Sequence, residues 1–144
     1  MTVEFTVPGK PEGKGRPRFV RATGRTYTPK QTASYENLVK MAFSQAKPDG
    51  FVPFSKDTPI EITIKAKFAP PESVSKTKRS AMLMGEIYPT KIPDLDNAVK
   101  IIMDGLHGVC FTNDSCVVRV IAEKRYSIVP ETVVTVRELK EAAE

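Results

Sequence analysis

The stretch IEITIKAKF at residues 60–68 alternates apolar side chains with polar ones along its whole length. Because a β-strand points successive side chains to opposite faces of a sheet, this alternation predicts a strand with one buried face. Pro70 and Pro71 end the pattern, since proline cannot donate the amide hydrogen bond that a sheet ladder needs. A sheet with one apolar face requires a second layer to cover it, which the flanking segments must supply.

Two helices and two strands are predicted after residue 71. Residues 75–85 are typical of a short basic helix, and Pro93 can open a further helix that Gly108 ends. The apolar stripe of that second helix consists of Leu95, Val99, Ile102 and Leu106. Residues 116–126 and residues 132–137 are each predicted to form a strand.

The N-terminal part of the chain predicts a strand followed by a loop. Val3, Phe5 and Val7 alternate with polar residues, which indicates a strand with one buried face. The sequence PGKPEGKGRPR at residues 8–18 is rich in Pro and Gly and therefore predicts a loop, leading into a short strand at residues 18–21.

A helix is predicted to follow this loop. Thr28 is expected as its N-cap, Pro29 at its first helical position and Gln31 as the second half of a capping box. Its apolar residues at helical spacing are Tyr35, Leu38, Val39, Ala42 and Ala46, and the helix ends at residues 48–50. Since no repeat or long linker divides the chain, we expect residues 1–144 to form a single α+β domain with a mixed or antiparallel sheet and about three helices.

The composition is that of an ordinary globular protein, with 40% hydrophobic and 27% charged residues. No apolar run approaches the ~20 residues that cross a bilayer, and the alternating N-terminus is unlike a signal peptide. We therefore expect a cytoplasmic protein with no membrane partner. Cys110 and Cys116 are expected to be buried thiols, and a zinc site is disfavoured because His107 is the only histidine.

The net charge of +5 is concentrated at the N-terminus. Residues 1–40 hold eight Lys and Arg against three acids, whereas the rest of the chain holds fourteen of each sign. Such a basic segment favours a polyanionic partner such as nucleic acid, although a solvated surface loop has the same composition. Charge alone leaves these two interpretations open.

Several acids lie close together between residues 91 and 117. We expect Leu95 to enter the core, which turns the flanking Asp94 and Asp96 toward solvent or a cleft. Asp114 lies in a turn before a strand, and it approaches the other two if the helix packs back on that strand. Clustered carboxylates repel each other unless a cation neutralises them, and oxygen ligands without His or Cys suit Mg²⁺ or Mn²⁺. A purely structural interpretation, in which the aspartates only cap the helix, also remains open.

The same region resembles the RusA family of Holliday-junction resolvases. The motif that carries the resemblance is P-D-x-D-N-x-x-K-x-x-x-D, which begins at Pro93 and is followed by Gly105-Leu106, Gly108-Val109 and Asp114. The N-terminal Pro8-Gly9-Lys10-Pro11 with Lys14, Arg16 and Arg18, and Tyr27-Thr28-Pro29 before a helix, are also similar to that family. The matching features follow one another in the same order over nearly the whole chain.

The resemblance implies a homodimer that binds four-way DNA junctions and cuts two opposing strands symmetrically, using Mg²⁺ or Mn²⁺ and no organic cofactor. It implies that Asp94, Asp96 and Asp114 are the essential acids and metal ligands, and that Lys100 is a further catalytic residue. Two positions depart from the family pattern, because Asn113 stands where the family often has an aspartate and Cys116 where it commonly has a glutamine. These departures bear on the affinity and preference for the metal.

A RusA-like function in DNA recombination and repair also gives the basic residues a role, since phosphate contacts position DNA without reading its bases. The residues that we expect to contact DNA are Lys10, Lys14, Arg16, Arg18, Arg21, Arg25, Lys76, Lys78 and Arg79. Two alternatives remain, a non-catalytic DNA-binding module and a nuclease that acts on a broader range of branched DNA.

Overall fold

The computed structural model describes residues 1–15, 18–27 and 29–140. The three helices of this part of the chain are α1 (Lys30–Ala46), α2 (Lys76–Leu83) and α3 (Leu95–Leu106). The strands are β1 (Thr2–Pro8), β2 (Arg18–Val20), β3 (Arg25–Tyr27), β4 (Ile60–Phe68), β5 (Val117–Tyr126) and β6 (Glu131–Glu138). A short 3-10 turn, Asp114–Cys116, directly precedes β5.

Four strands form one mixed sheet in the order β1-β6-β4-β5. Strand β6 pairs antiparallel with both β1 and β4, whereas β4 and β5 are parallel. A parallel pair needs a long crossover connection, and here that connection contains α2 and α3. The prediction of an α+β fold with a mixed sheet and about three helices is confirmed.

The core lies between one face of this sheet and the two longer helices. The apolar side chains of β4 point to that face, and Ile60, Ile62 and Ile64 are fully buried. Helices α1 and α3 close the core with the buried residues Tyr35, Val39, Phe43, Ile101, Ile102 and Leu106. The two helices approach closely at Gly105, where a Cβ atom would lie 2.8 Å from the side chain of Val39. The position of α3, which carries two of the candidate acids, is therefore set by the core.

Two predictions about helix starts are wrong. Leu95 is 39% exposed, because it lies in the first turn of α3 while the buried residues of that helix begin at Ala98. Helix α1 begins at Lys30, with Pro29 at the N-cap position and no side-chain capping hydrogen bond. With Pro29 at the N-cap, Gln31 is no longer at the third helical position that a capping box requires, and proline has no N–H group to donate to such a partner. The predicted N-cap Thr28 lies outside the described residues.

The short strand predicted at residues 18–21 is present as β2, but its antiparallel partner β3 was not predicted. The two cysteines are buried and free, as expected, and burial raises the pKa of Cys110 to about 12. None of the described helices is long and apolar enough to cross a membrane.

Candidate active site

Asp94 and Asp96 stand at the start of α3 with exposed side chains. Asp94 occupies the N-cap position, and Asp96 lies in the first turn. An aspartate at an N-cap usually accepts a hydrogen bond from a backbone amide of the first turn, but Asp94 makes no such side-chain bond. The capping interpretation is therefore not supported for Asp94, and its carboxylate is available at the positive end of the helix dipole.

Asp114 begins the 3-10 turn before β5, and its side chain is also exposed. The turn is capped by its neighbour Asn113, whose side-chain oxygen accepts a hydrogen bond from the amide of Ser115 at 2.9 Å. Because Asn113 satisfies the turn, the Asp114 carboxylate is not needed for local structure. Asn113 thus has a structural role at a position where the sequence departs from the family pattern.

The three aspartates offer the hard oxygen ligands that Mg²⁺ prefers. Within residues 1–15, 18–27 and 29–140, however, no three Asp, Glu, His or Cys side chains are close enough to bind one ion together. Mg²⁺ is commonly held by one or two carboxylates together with water and substrate phosphates, rather than by a complete protein cage. The ligand chemistry therefore fits Mg²⁺, although the structure does not bring all three aspartates into one ligand set.

Lys100 lies four residues after Asp96 on α3 and is exposed. Residues at this spacing share one face of a helix. No acidic side chain in the described part of the chain lies within salt-bridge distance of the Lys100 ammonium group, so Lys100 does not form a surface ion pair with Asp96. The charge of Lys100 is therefore available to a ligand on this face of α3.

A cleft of about 290 Å³ separates the N-terminal segment from the start of α3. Its lining includes Lys10, Glu12, Asp94 and Asn97, but neither Asp96 nor Asp114. The base of the cleft is tight, because a Cβ atom on Gly13 would lie 2.7 Å from the Cβ atom of Pro93. The cleft therefore brings the first residues of the basic segment beside one of the three candidate acids.

Lys14, in the same segment, is half-buried and already has carboxylate partners. Its Nζ atom lies 2.6 Å from Glu36 Oε1 on α1 and 3.0 Å from Asp104 Oδ2 on α3, with 18% of the side chain exposed. Burial lowers the pKa of Lys14, but the hydrogen bonds to Glu36 and Asp104 outweigh it, so the pKa is raised overall. Asp104, a further acid of the motif, is thus used to bind Lys14.

Two comparisons with known proteins bear on this arrangement. A family model described as "Endodeoxyribonuclease RusA" matches residues 8–137. A relative from Bacillus subtilis (strain 168), named "Uncharacterized protein YqaN", is 32% identical over 141 residues, which cover 95% of this chain and 96% of the relative. The chain belongs to the RusA family. The match spans the basic N-terminal segment, all of α3 and the turn that contains Asp114.

The other residues predicted to contact DNA lie in three parts of this RusA chain. Lys10 is exposed beside the cleft, Arg21 and Arg25 are exposed around the β2–β3 turn, and Lys76 and Lys78 are exposed on α2. Arg79 is half-buried. Arg16 and the side chain of Arg18 lie outside the described residues. DNA contact by these residues stays a prediction.

One contact beside the candidate acids could not be read from the sequence. Lys124 on β5 donates hydrogen bonds to the carbonyl oxygens of Lys91 and Pro93, the latter at 2.9 Å. In the sequence, Lys124 is one more polar residue of a strand, and no local signal marks it. The contact joins residues 31 and 33 positions apart, so only the tertiary structure reveals it.

Proposed function

We propose that this RusA-family chain is a Mg²⁺-dependent endonuclease that resolves four-way DNA junctions by paired, symmetric cuts. The observation that carries the proposal is that Asp94 makes no capping bond and that the turn at Asp114 is capped by Asn113. Carboxylates that local structure does not use, within a chain of an endodeoxyribonuclease family, support a catalytic role. Mn²⁺ would serve the same ligands.

In this proposal Asp94, Asp96 and Asp114 would hold one or two metal ions per site, with water and DNA phosphate oxygens completing the ligand set. A bound divalent ion neutralises phosphate charge and lowers the pKa of a coordinated water. Asp94 and Asp96 stand at the start of a helix whose later turns, from Ala98 onward, are packed in the core. The helix dipole at this end also favours the negative charge of a nearby phosphate.

Lys100 is proposed as the fourth catalytic residue. It shares a face of α3 with Asp96, and its ammonium group has no ion-pair partner among the described acids. A cation in this position can contact the scissile phosphate and stabilise the charge that develops in the transition state. The absence of the Asp96 ion pair supports this role over that of a surface charge.

The basic residues are proposed to position the DNA backbone. Lys10 is the best supported of these residues, because it is exposed and lines the cleft beside Asp94. The remaining proposed contacts are Arg16, Arg18, Arg21, Arg25, Lys76, Lys78 and Arg79. Lys14 was expected in this set, but its ammonium group is already neutralised by Glu36 and Asp104. Lys14 is therefore not proposed as a DNA contact.

The protein is proposed to act as a homodimer, since two matched incisions across a junction call for two matched sites. The outer strand β5 supports this assembly. Three apolar side chains near its start are exposed to solvent: Val118 is 60% exposed, Val120 39% and Ile121 51%. We propose that a second copy of the chain covers this edge strand, because an unpaired apolar edge is prone to nonspecific association.

We further propose that residues 1–144 are a single cytoplasmic domain with a role in DNA recombination and repair.

The decisive experiment is incubation of the protein with a labelled four-way junction and Mg²⁺, beside duplex and flap controls. Paired cuts in the junction alone would support the proposal. Cutting of flaps or forks at a comparable rate would favour the nuclease of broader range. Binding without cutting in either Mg²⁺ or Mn²⁺ would favour the non-catalytic module and overturn the proposal.

A further inference from the structure

We propose that Lys124 and Lys14 are positioning residues, which hold the backbone on either side of the Asp94–Asp96 turn. The expected effect of these lysines on cleavage rests on the proposed function, but their effect on the backbone of the turn does not. The turn needs such support because the side chain of Asp94 makes no capping bond of its own. The backbone around the aspartates must therefore be held by other residues.

Lys124 supports the side of the turn that precedes Asp94. It pairs with Ala66 of the neighbouring strand, a residue whose side chain is buried on the helix-covered face of the sheet. The side chain crosses the ring of Phe68, with Nζ 6.0 Å from the ring centroid, and reaches the carbonyl oxygens of Lys91 and Pro93. The Pro93 carbonyl belongs to the peptide bond that leads into Asp94. Lys124 therefore connects β5, the strand that follows Asp114, to the backbone next to Asp94.

Lys14 supports the other side of the turn. Its backbone amide donates to the carbonyl oxygen of Asn97, the residue directly after Asp96, at 3.0 Å. Its side chain fixes this segment to both α1 and α3 through Glu36 and Asp104. A lysine with two carboxylate partners has lost most of the charge that would attract a phosphate. We infer that Lys14 anchors the segment from which Lys10 reaches the cleft.

The test begins with the metal-free protein and needs neither DNA nor activity. The probe is the amide of Ala98, which donates to the carbonyl oxygen of Asp94 at 3.0 Å and so reports whether the first turn of α3 is formed. Hydrogen exchange at this amide is measured by NMR for Lys124→Met, Lys14→Met and the matched control Lys65→Met, an exposed lysine on β4. The amide of Ile62 in the core serves as the reference for any loss of global stability.

We expect exchange at Ala98 to become about tenfold faster in Lys124→Met and in Lys14→Met, while the exchange at Ile62 changes far less. Lys65→Met should match the wild type at both amides. In cleavage assays, the Mg²⁺ concentration for half-maximal rate should rise in both variants while junction affinity stays within about twofold, a pattern that a purely structural role would not produce.

Wild-type exchange at Ala98 in both variants would overturn the inference. A loss of protection at Ala98 that is matched by an equal loss at Ile62 would also overturn it, because the lysines would then support the whole fold rather than the turn. If the wild-type protein does not cut any branched DNA, the proposed function fails, while the exchange measurements still decide whether the lysines position the turn.

Discussion

The ammonium group of Lys14 lies 3.0 Å from the carboxylate of Asp104, so the N-terminal basic segment is bound directly to α3. This contact separates two acids that the sequence places in one motif. Asp104 neutralises a lysine, whereas Asp94 at the start of the same helix makes no capping bond. We therefore expect Asp94 to be needed for catalysis and Asp104 to be needed for the folded structure.

Asp94→Asn, Asp96→Asn and Asp114→Asn should each lower junction cleavage by orders of magnitude, because each removes a proposed carboxylate ligand while keeping the shape of the side chain. Binding of the junction should persist or tighten, since a negative charge near the phosphates is lost. Single-turnover cleavage and gel-shift affinity measure the two effects. Asp57→Asn, at an exposed loop residue, is the matched control and should cut at the wild-type rate. An aspartate variant that also cuts at that rate is not an essential ligand.

Lys100→Met should reduce cleavage by orders of magnitude, while the melting temperature and the junction affinity change little. The physical reason is that an exposed lysine with no ion-pair partner among the described acids contributes little to folding but can stabilise transition-state charge. Lys56→Met, at another exposed lysine, controls for the loss of one positive charge. Lys100→Arg keeps the charge but alters its reach, so a partial loss is expected. Near-normal turnover by Lys100→Met would leave Lys100 as a surface residue only.

Ile121→Asp should convert the proposed dimer into a monomer, because a charge would be buried without a partner at the β5 edge. Sedimentation velocity of the wild type and the variant measures this directly. Met41→Asp is the matched control, since Met41 is similarly exposed at 58% but lies on α1. A wild-type protein that sediments as a monomer and still makes paired cuts when dilute would exclude the dimer.

The stability of the fold should fall at acid pH through Glu61. Its side chain is only 7% exposed and accepts hydrogen bonds from Arg119 at 2.7 Å and from Arg137 at 3.0 Å. The bond from Arg119 lowers the pKa of Glu61 from its ordinary value of 4.5, although burial opposes the shift. Because the folded pKa is the lower one, this contribution is complete above the unfolded pKa and is lost as the pH falls through the folded pKa.

The measurement is the free energy of unfolding in urea between pH 7 and pH 3 for the wild type and Glu61→Gln. The variant should be less stable at pH 7, and the difference between the two proteins should shrink as the pH falls. Glu72→Gln, at an exposed loop position, should follow the wild type throughout. An equal stability difference at both ends of this range would mean that the Arg119 contact does not act through the charge of Glu61.

Local patterns by themselves determined the strands at residues 2–8 and 60–68, the basic helix α2 and the grouping of candidate acids around α3. These features depend on side-chain alternation, on helix and turn signals and on spacing along the chain, all of which are properties of neighbouring residues. The RusA motif was readable for the same reason, since most of it lies within one helix and the turn after it.

Only the tertiary structure decided how those local features are used. Leu95 has the spacing of a core residue but is exposed, because burial depends on where the first turn of α3 meets the other layer. Lys14 is a basic residue of the segment that we expected to contact DNA, but it binds Glu36 and Asp104. Lys124 donates hydrogen bonds to a turn more than 30 residues away in the sequence. Such contacts join segments that are far apart in the chain, and the charge of a lysine does not specify which distant carboxylate or carbonyl oxygen the fold will bring to it.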